Sequence, residues 1–234
     1  MKRKEFFVLL SVLLMSIVMT GAVMADPLGA TLTRGASSRG TNPSAIQQDA
    51  QAGNVTGLNM DQSRISEIWQ GFYGNVTGGI TLEDGASNAF YDWSLATIVG
   101  EVYATRYTIP DWTGINCTNS THWILEETTL NIPLTNKEGI NETYDGTTHP
   151  TFDVGTKTFA ANACRSVRPF NSSGLEGGFY NVLLNSNSTN TVYTAVMSDD
   201  GDSFDGGTAD FEILVPVDKD TGTATYYFYT ELDA

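Results

Sequence analysis

Histidine, cysteine and basic side chains are scarce in this chain, and each shortage narrows the chemistry open to it. The two histidines, His122 and His149, stand in no metal or nucleophile motif, and two cysteines alone do not make a zinc site, which asks for four ligands. A serine or cysteine hydrolase would lack its base constellation, and no Gly-rich phosphate loop is present. Carboxylates are so numerous that some pair must fall about 5–10 Å apart in any fold, so acid pairs carry no signal for glycoside hydrolysis. The sequence predicts no catalytic activity.

Twelve Lys and Arg stand against 27 Asp and Glu, a net charge of −15. Residues 1–25 hold three of those bases and one of the acids, so the remainder is more acidic still. Such a field repels nucleic acid and anionic lipid, both of which need clustered Lys/Arg to displace counterions. It favours solubility and divalent cations.

Charge is absent altogether from Phe6 to Ala25, behind the basic start Lys2-Arg3-Lys4. With small residues at Val23 and Ala25 this reads as a signal peptide over residues 1–25, cleaved after Ala25. The competing reading is an uncleaved anchor, since about 20 apolar residues cross a bilayer as a helix, although Thr20-Gly21 interrupts the run. Either way the rest of the chain is expected outside the membrane. Seven Asn-x-Ser/Thr sequons follow, at Asn54, Asn75, Asn116, Asn119, Asn141, Asn171 and Asn187. They mark solvent-reachable turns and an extracellular, N-glycosylated protein. In that compartment Cys117 and Cys164 are expected to form a disulfide. The loop they close is worth about 4 kcal/mol on the chain-entropy model.

Large apolar side chains are few in residues 26–52, which read as a flexible tether. Residues 53–234 read as a single all-β domain, an antiparallel Ig-like or jelly-roll-like sandwich with a short irregular or helical insertion. The predicted strands are 64–73, 76–82, 89–95, 99–107, 179–184, 191–197, 210–217 and 223–232. The polar run Glu83–Asn88 is expected to turn a hairpin. Phe211, Ile213, Val215 and Val217 share one strand face by the two-residue period, with Pro216 marking an edge or an end. Ser120 is the expected cap of a helix over 120–130; a strand would suit its threonines equally well.

The best candidate for chemistry is the acidic loop from Asp199 to Gly206. Asp199, Asp200, Asp202 and Asp205 supply oxygen ligands at a density that suits Ca²⁺, although Phe204 and the lack of a closing Glu depart from the EF-hand pattern. The competing reading is a solvated hairpin loop. Trp112 is expected on an exposed loop, where it would stack on a sugar or peptide.

The runs Trp69–Gly78, Phe90–Trp93, Gly100–Ala104 and Thr225–Leu232 together resemble a group of uncharacterised exported archaeal cell-surface proteins. The resemblance implies an envelope or secreted setting and brings no activity or catalytic residue with it. Two functions follow as expectations. One is a structural envelope, coat or filament subunit associating with itself or other envelope proteins, its contacts bridged by Ca²⁺ at the acidic loop. The other is an adhesion module for glycans or peptides.

Overall fold

The computed structural model of the chain describes residues 26–95, 97–108, 112–187 and 189–233. Residues 1–25, which the sequence reads as a signal peptide, lie outside the described residues. Strands dominate, helices are few, and every strand pair is antiparallel, so the fold is all-β.

The centre of the fold is a seven-stranded sheet. Three of its strands, β5 (Gly100–Thr105), β10 (Tyr180–Ser186) and β11 (Asn190–Val196), are buried along almost their whole length. A strand covered on both faces has no solvent side to present, and polar residues such as Glu101, Asn181 and Thr194 are buried in these strands beside the apolar ones. The sheet order is β1 (Leu28–Gly29), β15 (Tyr227–Leu232), β5, β11, β10. Along the outer edge of β10 lie β6 (Asn116–Cys117) and β9 (Ser166–Val167).

Successive residues of these strands serve opposite faces. On one face Tyr103, Val182, Leu184 and Val192 pack with Trp112, Ile115 and the ribbon of β7 (Phe152–Val154) and β8 (Lys157–Phe159). On the other, Val102, Ala104, Leu183, Tyr193 and Ala195 pack with a second ribbon, β2 (Trp69–Gly74) paired to β14 (Phe211–Pro216), and with Ile140 and Tyr144. The layering thus rests on one large sheet with two-stranded ribbons against it. Ile213 and Val215 are buried on the face their period predicts, and Pro216 is the last residue of its strand, opposite Trp69.

The helix predicted over 120–130 is α1, Ser120–Thr129. Its cap is Asn119 and not Ser120: the Asn119 Oδ1 accepts from the N–H groups of Thr121 and His122, while His122 Nδ1 accepts from the Asn119 N–H. A second, four-residue helix, α2, spans Ile140–Thr143. Arg106 donates to both carboxylate oxygens of the buried Glu126 of α1, each at 2.8 Å, a bidentate pairing that fixes the helix against β5.

Cys117 and Cys164 are bonded, with Cα atoms 5.1 Å apart across 47 residues of chain. The bond ties β6 to the segment leading into β9. Residues 30–64 contain no strand or helix and are exposed throughout. The start of the expected tether differs from its remainder, because β1 adds to the edge of β15 and Pro27 is buried.

Candidate functional site

Two strands stand apart from this core. Among the described residues β3 (Gly79–Glu83) and β4 (Ala89–Ser94) pair only with each other. Their turn falls within Glu83–Asn88, as the sequence predicts, and Asp84 organises it. The Asp84 carboxylate accepts from the Ala86 and Asn88 N–H groups at 2.9 and 3.0 Å, and its carbonyl accepts from the N–H of Ser87, which has φ of 63°. The Asn88 side chain donates to the same carboxylate and holds its pKa below the ordinary value.

Register then sorts the side chains. Ile80 faces Trp93 and Leu82 faces Tyr91, and positions two apart share a face, so all four stand on one side of the ribbon. That side is uncovered: Ile80, Leu82, Tyr91 and Trp93 are between 44% and 58% exposed. Tyr91 and Trp93 pack edge to face with ring centres 4.9 Å apart. Exposure of single apolar residues is ordinary, but a contiguous patch on a ribbon that is marginal by itself in water makes this face the candidate contact surface.

In the acidic loop two short strands, β12 (Gly201–Asp202) and β13 (Thr208–Ala209), pair with each other. The loop's organisers are two carboxylates on or beside β14, Asp210 and Glu212, both buried. Asp210 accepts from the Asp200 N–H at 3.1 Å and from the Val76 N–H at 2.7 Å. Glu212 Oε1 accepts from the Ser203 hydroxyl at 2.9 Å and the Phe204 N–H at 2.8 Å. Asp205 turns back on the Gly207 N–H, and Asp199 accepts a long bond from the Ile98 N–H at 3.4 Å. Asp199, Asp200, Asp202 and Asp205 are not brought together: among the described residues no group of three or more His, Cys, Asp or Glu side chains is placed to hold a metal ion. Asp210 and Glu212 escaped the sequence reading because an acid in a strand looks like part of a solvent face.

Trp112 is not exposed. It is 4% accessible and lies between Tyr103 and Tyr229, with ring centres 5.0 and 5.3 Å away. Large aromatic area is worth more in the core than on a loop, and Ile115 turns the loop inward beside it. The buried His149 donates from Nδ1 to the Pro150 carbonyl at 2.7 Å and accepts from the Cys164 N–H at Nε2 at 2.9 Å, a use of both ring nitrogens that holds the disulfide segment in place.

A second acidic group lies where β5 and β15 meet the β7–β8 turn. Glu101 and Glu231 sit directly opposite each other on adjacent strands and are 2% and 3% accessible. Glu231 accepts from the Gly155 N–H at both oxygens, 2.9 and 3.0 Å, and from the Tyr103 hydroxyl at 3.0 Å. Among the described residues Glu101 Oε2 has no hydrogen-bond partner. Burial, with Asp233, Glu231 and Asp153 nearby, pushes the Glu101 pKa up to about 9.

None of the seven sequon asparagines is buried; Asn141 and Asn171 are half-buried and the other five exposed. Searches for likeness to known proteins return no matching family model, no matching curated protein and no matching solved structure.

Proposed function

We propose that this chain is an exported, N-glycosylated cell-surface structural protein, of archaeal type by its resemblance, whose copies join through the apolar face of the β3–β4 ribbon. That uncovered face is the observation that carries the reading. Ile80, Leu82, Tyr91 and Trp93 form a self-complementary patch, and two such faces laid together about a twofold axis would bury each other. The sequons support this arrangement by their positions: none falls between Asn75 and Asn116, so glycans would leave the ribbon bare while shielding the rest. The high negative charge keeps the remainder of the surface from sticking. Association through this face requires no cation.

Light scattering and electron microscopy on residues 26–234, with Ca²⁺ and with chelator, test the reading. Assemblies indifferent to chelation are the expected result. A second reading, an adhesion module, draws on the same Tyr91–Trp93 pair, because exposed aromatics with a polar edge stack on sugar rings. Binding on a glycan array by a chain that stays monomeric would favour it.

A further inference from the structure

The acid cluster at the β5–β15 end is a charge imbalance without a counterion. Glu101 and Glu231 face each other from adjacent strands, Asp153 lies on β7, and Asp233 follows β15; burial first, and then Asp233 and Asp153, raise the pKa values of both glutamates. Among the described residues no Lys, Arg or His forms an ion pair with any of them. The Gly155 N–H and the Tyr103 hydroxyl serve Glu231, the hydroxyl also reaching the Asp153 carbonyl at 3.3 Å, and among the described residues one buried oxygen each of Glu101 and Asp233 has no hydrogen-bond partner. Glu101 and Glu231 are buried and Asp153 and Asp233 half-buried, and a buried carboxylate without a counterion is strongly destabilising.

One backbone is led to this place by a strand whose position is otherwise hard to account for. Leu28 pairs with Thr230 and Gly29 with Tyr229, a register whose continuation by one step would set the buried Pro27 across from Glu231. Asp26 is then seated on the β7–β8 turn. A Cβ on Gly155 would lie 2.7 Å from Asp26 Oδ1 and 3.9 Å from Asp26 Cα, and Gly155 is the residue whose N–H holds Glu231. Asp26 brings a fifth carboxylate to the group, so its side chain worsens the imbalance.

We propose that the acid cluster of Glu101, Glu231, Asp233 and Asp153 is a docking site for the α-ammonium group of Asp26, created when the leader is removed. The inference rests on the export reading with cleavage after Ala25. Hydrolysis of the Ala25–Asp26 bond by a signal peptidase consumes one water, leaves a carboxylate on Ala25 and frees the Asp26 amine, which takes up a proton at neutral pH. A neutral amide with one N–H becomes a cation with three, at the edge of a group of acids that lacks both charge and donors. Removal of the leader would thereby complete the electrostatics of the fold, and the unprocessed chain would be the less stable form.

The test compares the chain 26–234, which holds every described residue, with the same chain carrying Gly-Ser-Gly before Asp26, which moves the ammonium away. A protease that leaves no scar releases the first from a fusion made in an oxidising host. At pH 7 the extended chain is expected to melt about 3 °C or more lower, and the Asp26 amine, followed by NMR, to titrate above its ordinary value of about 7.7–8.0. The difference in melting should disappear when Glu101→Gln and Glu231→Gln are combined. Equal melting of the two chains, or an amine that titrates in the ordinary range, overturns the proposal; the titration decides even where the double variant does not fold. The mass of the protein released by its native host checks the export reading separately, since a start other than Asp26 refutes that cleavage and leaves the melting comparison intact.

Discussion

The carboxamide of Asn181, wholly buried in β10, donates to the Glu212 carbonyl at 2.6 Å and accepts from the Leu214 N–H at 2.8 Å. It occupies the open edge of β14 in the way another strand would, joining the β2–β14 ribbon to the central sheet without a further ladder. Replacing it by leucine leaves a buried carbonyl and a buried N–H unpaired, each costing about 1–3 kcal/mol. Asn181→Leu is expected to lose about 2–4 kcal/mol in urea unfolding, and a loss below about 0.5 kcal/mol would refute the bridging role.

The Glu101 carboxyl sets a pH trend. Its folded pKa, pushed up to about 9 in the chain without a free Asp26 amine, lies above the unfolded value of about 4.3. A raised carboxyl binds its proton more tightly when folded, so its contribution is fully present below pH 4.3 and is lost as pH rises through about 9. Thermal melts of the extended chain are expected to fall across that window, and Glu101→Gln to flatten the fall. A profile the same in both chains would contradict this.

Because Asp210 and Glu212 hold the 199–206 loop by its own backbone, calcium should contribute nothing. Saturating Ca²⁺ at 100 times its Kd would add about 2.7 kcal/mol; calorimetry is expected to find neither heat nor a shifted melting point. Asp210→Asn, by contrast, sets an amide against an N–H and should cost about 1–3 kcal/mol.

Trp112→Ala should destabilise by about 3–5 kcal/mol, as removal of a buried Trp does, with the largest chemical-shift changes at Tyr103 and Tyr229. A nearly neutral result would return Trp112 to the surface.

Much of the fold is legible in the sequence where burial and period agree. The strands predicted at 89–95 and 191–197 are β4 and β11 to within a residue, because Phe90–Trp93 and Val192–Val196 are β-prone and bounded by turn residues. Arg64 to Ile68 reads as strand and is not, since the chain there is held by side chains: Ser66 donates to Glu138 at 2.6 Å and takes up the Trp69 N–H. The helix cap stands one residue before the expected Ser120 because the Asn119 side chain reaches the Thr121 and His122 N–H groups. What the sequence hides is pairing at a distance. Nothing local tells that Glu101 will meet Glu231, 130 positions later in the chain, or that Glu212 will hold Ser203. Equally, nothing tells that Trp112 will go inward while Trp93 stays outside.

The most direct test of the account is sedimentation of the chain 26–234 beside the double variant Tyr91→Ser/Trp93→Ser, over a range of concentrations. Both substitutions fall on the ribbon and away from the core, so melting should be unchanged. The account expects the unaltered chain to associate and the variant to remain monomeric. An unaltered chain that stays monomeric at about millimolar concentration, or a variant that associates equally well, would contradict it.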